Sequence, residues 1–257
     1  MESGTPGVWD GAIAEGWDTP RGPLGGYVMA IQMRGMELAV GDSERQARSV
    51  TMHFLRVPEA GPVRVSATLE REGRSLSTVS GRLEQDGRPI GIAVGAYSKP
   101  WEGPHLDDLP MPEAAPPEPG VPDRTMRNQE EPPPFVGRLL MQQRFGEGAF
   151  TKADSGVTGG WLGLREERPV DALAIAVLAD AWFPAPWPRL SRFAPAPTVD
   201  LTIHFRSPLP VEGPLLGRFE NRYVRDGFFD EDGVLWAPDG AVVAQSRQLG
   251  LLLGAEA

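Results

Sequence analysis

This chain carries one pattern twice, and the repeat narrows its possible folds more than any other feature. In each half an apolar, helix-like stretch leads into a β-patterned tract marked by a His-Phe pair. The first copy reads Met52-His53-Phe54-Leu55-Arg56-Val57-Pro58, then Gly61-Pro62-Val63. The second reads Ile203-His204-Phe205-Arg206-Ser207-Pro208, then Gly213-Pro214-Leu215. Further on, Asp86-Gly87 and Asp239-Gly240 each sit between β-patterned runs, as two-residue hairpin turns do. The offsets between these paired landmarks are 151, 152 and 153 residues, so the register barely drifts. Two tandem α+β units are expected, and functional asymmetry should show as a difference between the copies.

The first unit is expected over residues 1–100. It opens with Gly22-Pro23-Leu24-Gly25-Gly26, and the run to Val40, dense in Val, Met, Ile, Leu and Ala, predicts a mostly buried helix over Gly26 to Val40. Val63, Val65, Ala67 and Leu69 alternate with polar residues, which puts one strand face on a core. Ser77 to Gln85 and Arg88 to Ser98 read as a hairpin. From Pro100 to Pro134 there are eleven prolines. Proline neither donates to a ladder nor continues a helix, so residues 101–149 are expected to be a linker draped over the surface. The second unit is expected over 150–257, with its helix from Val170 to Ala181.

Every residue from Ala172 to Ala179 is apolar, so no face of that helix suits water. Among antiparallel strands, the simplest burial is a sheet curled around the helix. That arrangement is the hotdog, and a tandem pair makes a double hotdog. A layered α+β sandwich satisfies the same pattern.

Composition bounds the function. At 257 residues and 40% hydrophobic, the chain can bury a substantial core. A net charge of −10 argues against a nucleic-acid surface, so an anionic ligand needs a local arginine cluster. The lack of cysteine removes disulfides, Cys-ligated metals and a Cys nucleophile, and suits a cytoplasmic protein. No apolar run approaches the ~20 residues of a membrane span. Met1 to Asp10 lacks the basic start and apolar stretch of a signal peptide. With only His53, His105 and His204, no His-Glu-x-x-His zinc helix exists, nor is there a Gly-x-Ser-x-Gly elbow. Neither a metal nor an organic cofactor is expected.

Asp180 ends the apolar helix, with Trp182 and Phe183 just beyond and no Lys or Arg within a turn. Burying an unpaired carboxylate is expensive, so it either reaches water at the helix end or sits in a polar pocket. Its counterpart in the first copy falls at Ala30 or Ile31. Thr198, six residues before His204, replaces Ala47 of the first copy, and Gln248, nine residues after Asp239, replaces Gly95. Taken singly, Thr198 and Gln248 read as ordinary strand residues. Three polar gains in one copy set that copy apart.

The order Leu178-Ala179-Asp180 before an aromatic pair, Pro197-Thr198-Val199-Asp200 leading to His204-Phe205, and Arg247-Gln248-Leu249-Gly250 resembles the acyl-CoA thioesterase II family. So do Gly25-Gly26-Tyr27, His53-Phe54-Leu55-Arg56, Gly73-Arg74-Ser75 and Gln85-Asp86-Gly87 in the first half. The resemblance implies a double hotdog that hydrolyses acyl-CoA thioesters without a covalent intermediate. It implies a water-activating set at Asp180, Thr198 and Gln248, and association of two chains with sheets back to back. The chemistry suits those residue types: a carboxylate takes a proton from water while a hydroxyl and an amide hold that water. The Gly25-Gly26 turn is the candidate source of oxyanion donors, or a plain turn into the helix. The stretch Gly217 to Asp239 departs from the family pattern, with Asn221-Arg222-Tyr223-Val224-Arg225-Asp226-Gly227 where Gly-Arg-Ser is expected. The expectation is a cytoplasmic, homodimeric acyl-CoA thioesterase. The alternative is a non-catalytic acyl-ligand binder on the same fold.

Overall fold

The two copies merge into one sheet wrapped around two helices. The computed structural model describes residues 4–118 and 132–254. In the first half β1 (Val8–Ile13) and the short β2 (Asp18–Thr19) and β3 (Gly22–Pro23) precede α1 (Gly25–Val40). Then come β4 (Gln46–Phe54), β5 (Gly61–Glu72), β6 (Leu76–Gln85) and β7 (Arg88–Ser98). In the second half β8 (Leu139–Gly146) and β9 (Gly156–Leu164) precede α2 (Ala172–Ala179). β10 (Thr198–Phe205), β11 (Leu215–Asn221), β12 (Val224–Arg225), β13 (Phe228–Trp236) and β14 (Val242–Leu251) complete it. The main sheet runs β1-β5-β6-β7-β4-β10-β14-β13-β11-β9-β8, with β12 paired to β13 and every pairing antiparallel.

β4 and β10 meet at the centre. Thr51 lies opposite Thr202 there, and their hydroxyls are 2.8 Å apart. The two residues are 151 positions apart, which is the repeat offset. The pseudo-twofold axis therefore passes between them. His53 and His204 point outward to solvent while Met52 and Ile203, beside them, point into the core.

Inside the sheet α1 packs on α2, β5 and β6. It buries Val28, Met29, Met33 and Met36, and it stops at Gly41, whose φ of 67° is the left-handed conformation that glycine adopts most readily. All of α2 except Leu173 is buried, as a helix apolar on every face requires. The architecture is the double hotdog rather than the layered sandwich.

Three details differ from expectation. The second helix is shorter at both ends than Val170 to Ala181. Asp171 is its N-cap, accepting the Ala174 N–H at 2.8 Å, while Val170 bridges Val211 and Asp180 is the C-cap. Asp86 and Gly87 form the tight turn expected, with φ of 52° and 71°, but Asp239-Gly240 does not. Pro238 cannot extend the ladder, so the second turn widens to a loop closed by Ala237 and Ala241. The linker is also shorter than 101–149, because a 3₁₀ turn at Pro134–Arg138 leads into β8, a full member of the sheet.

The described part of the proline-rich segment, 101–118, does lie on the surface, and it covers something. Trp161, Leu216 and Trp236 form one cross-strand row on the outer face of β9, β11 and β13. Both indole N–H groups donate to the strap, Trp161 to the Ala115 carbonyl at 2.7 Å and Trp236 to the Leu109 carbonyl at 3.0 Å. All three side chains are buried outside the main core cluster.

Candidate active site

The end of α2 meets the start of α1. Two glycines allow it: a Cβ on Gly26 would lie 2.3 Å from the Ala176 carbonyl oxygen, and one on Gly25 would lie 3.0 Å from Asp180 Oδ2. With neither present, the backbone N–H of Gly26 donates to Asp180 Oδ2 at 2.7 Å. The Trp17 ring stacks on Tyr27 at 4.5 Å, fixing the first turn of α1. Burial pushes the Asp180 carboxyl up to about 6, while the N–H groups of Gly26 and Gly25 pull the other way. Among the described residues no cation pairs with it. The glycine turn expected to supply oxyanion donors is thus occupied, because its N–H groups already hold the carboxylate at the positive end of α1.

Thr198 opens β10 and Gln248 stands in β14, two residues short of the Gly250 that pairs with Thr198. The Thr198 hydroxyl donates to Gln248 Oε1 at 2.8 Å. Asp180, Thr198, Gln248 and Gly25 all line one cavity of about 370 Å³. Its walls are mainly apolar, with the aromatic rings of Phe54, Phe135, Trp182, Phe183, Trp187, Phe193 and Phe229 among them. Exposed Arg21 and Arg56 also line it, a local pair of cations on an acidic protein. A larger groove, about 760 Å³, runs beside Trp9, Trp17 and Ile31 on the other flank of the helices and contains none of the three polar residues.

One polar residue escaped the sequence reading. Glu231, in β13, is 4% exposed and lies opposite Gln248. Gln248 Nε2 donates to its Oε1 and the Ala185 N–H to its Oε2, each at 2.5 Å. Burial pushes its carboxyl up to about 7, with Asp180 and Asp230 adding to the rise. The available signal was alternation along β13, where Phe229, Glu231, Gly233 and Leu235 share the buried face. In the first copy the corresponding cross-strand pair is Val79 and Gly95, so no polar chain exists there. Among the described residues no three His, Asp or Glu side chains converge as a metal site would need.

Two family models match the chain, the acyl-CoA thioesterase N-terminal domain over residues 13–98 and the acyl-CoA thioesterase C-terminal domain over residues 107–252. This chain belongs to the acyl-CoA thioesterase family. An uncharacterized protein of Mycobacterium tuberculosis is 26% identical over 275 residues, covering 95% of this chain and 91% of that one. A solved hot dog fold protein of unknown function from Alicyclobacillus acidocaldarius matches with a TM-score of 0.86 at 24% identity, covering 100% of this chain and 95% of that one. An acyl-CoA thioesterase II from Mycobacterium marinum, TesB2, matches with a TM-score of 0.77 at 20% identity, covering 98% of this chain and 93% of that one. These structural likenesses establish the fold. No helix among the described residues is long and apolar enough to cross a membrane.

Proposed function

We propose that this protein hydrolyses acyl thioesters, acyl-CoA foremost, with Asp180 as general base and no covalent intermediate. The supporting observation is a carboxylate without a cation partner lining the same apolar cavity as a hydroxyl–amide pair. Its pKa near 6 leaves it ionised at neutral pH yet basic enough to accept a proton. A water between Asp180 and Thr198 gives its proton to Asp180 as its oxygen bonds to the thioester carbon. The tetrahedral intermediate then breaks the C–S bond, and the departing thiolate recovers the proton from Asp180. Aromatic walls suit an acyl chain, while Arg21 and Arg56 suit the phosphates of a CoA carrier.

The test is a turnover screen of acyl-CoA chain lengths, read by a thiol-detecting reagent. Thiol release that saturates with substrate and depends on the acyl chain is expected. No release from any acyl-CoA would overturn the hydrolase reading. A homodimer belongs to the same proposal, on the exposed outer face carrying Ile92 and Val94 rather than the strap-covered row. Light scattering should return twice the 27.8 kDa chain mass.

A further inference from the structure

Glu231 is an expensive residue to keep. It is a carboxylate on the buried face of a strand, flanked there by Phe229 and Gly233, and among the described residues no Lys or Arg pairs with it. Burying such a charge costs several kcal/mol unless hydrogen bonds compensate. Its two compensating bonds come from neutral donors, the Ala185 N–H and the Gln248 amide. A hydrophobic side chain would fill the position more cheaply, as Val79 does in the first copy. Glu231 does not line the cavity, so its hydrogen-bonded route into it runs through Gln248.

The direction of the hydrogen bonds shows what it does. Both Glu231 oxygens face N–H donors, so both accept. Gln248 must therefore turn its nitrogen toward Glu231 and its oxygen toward Thr198. The Thr198 hydroxyl has one proton, and Gln248 Oε1 takes it. The Thr198 oxygen then has only lone pairs to offer the cavity. A water beside it must donate one O–H to Thr198 and can donate the other to Asp180, leaving its own lone pair free to attack.

We infer that Glu231 is a positioning residue that sets the polarity of the Glu231–Gln248–Thr198 chain, so that Thr198 accepts from the attacking water. The inference rests on the hydrolase reading above. In Glu231→Gln the new amide must keep its oxygen on the Ala185 N–H, so its nitrogen faces Gln248. Gln248 then turns over, Thr198 becomes an acceptor from Gln248, and its proton points into the cavity. The water loses its orientation while the acyl and carrier contacts remain.

The experiment is a double-mutant cycle on thiol release, using Glu231→Gln, Thr198→Val and the pair. Glu231→Gln should lower kcat by about 10–100-fold with KM within about twofold. In the Thr198→Val background the same substitution should cost less than about twofold, because the chain it orients is already cut. Additive losses, or a KM rise equal to the kcat loss, would overturn the inference, since a purely structural role acts whether or not Thr198 is present. If Glu231→Gln does not fold, Glu231→Asp enters the same cycle, keeping the charge but withdrawing it by one methylene, with the same outcomes decisive. Full kcat in Glu231→Gln beside an active parent overturns this inference and leaves the hydrolase reading standing. An inactive parent overturns both.

Discussion

The backbone N–H of Gly26 donates to Oδ2 of Asp180 at 2.7 Å, so the first helix of one repeat holds the carboxylate that ends the helix of the other. The site is asymmetric in its chemistry yet depends on both copies. The second copy supplies Asp180, Thr198, Gln248 and Glu231. The first supplies the helix terminus whose N–H groups favour the ionised form of Asp180 against burial, and it supplies Phe54 to the cavity wall.

The pH dependence of turnover follows from this arrangement. In the proposed mechanism Asp180 works only as the carboxylate, and its carboxyl is pushed up to about 6. Activity should therefore decline as pH falls through about 6. Glu231, pushed up to about 7 chiefly by burial with Asp180 among the causes, adds an earlier ionisation to the same acid limb. A kcat profile from pH 4 to 9 is the check, and a flat profile down to pH 4 would contradict the assignment of the base.

Stability should move in the opposite sense. A carboxyl whose folded pKa lies above its unfolded value of 3.8 binds its proton more tightly in the folded state. It favours folding at low pH, and that contribution is lost as pH rises through about 6. Asp180→Asn removes the ionisation but can still accept from Gly26. The variant should be more stable than the parent at pH 8, by about 1–3 kcal/mol, and close to it at pH 4. Thermal unfolding at the two pH values measures the difference.

Gly26→Ala tests the helix contact. Its Cβ would lie 2.3 Å from the Ala176 carbonyl oxygen and 2.8 Å from Asp180 Cβ, so the helices must separate. A loss of about 1–3 kcal/mol or more is expected, together with loss of turnover. Gly103→Ala, in the strap with nothing within 4 Å of the added Cβ, is the control and should stay within about 0.5 kcal/mol.

Much of this was legible in the residues. The repeated His-Phe pairs and the apolar run Ala172–Ala179 called for two wrapped helices, because such a helix has nowhere else to go. Asp180, Thr198 and Gln248 stood out because the first copy has apolar or small residues in their places. Glu231 was hidden within Asp230-Glu231-Asp232, which reads as a solvated charge run until the strand turns only the middle residue inward. Gly25 and Gly26 suit an oxyanion-donor turn or a plain turn into the helix, and nothing near them in sequence shows that they also make room for a second helix 154 residues away. β8 went unseen because Leu139 to Phe145 lacks alternation and follows a proline-rich stretch that suggests only linker.

The central claim is that Asp180 is the base. Steady-state thiol release by Asp180→Asn, compared with the parent at pH 8, tests it most directly. The substitution keeps shape and hydrogen bonding while removing the proton acceptor. The account predicts a fall in kcat of about 10²–10⁴-fold with KM little changed. Full kcat in the folded variant would contradict it.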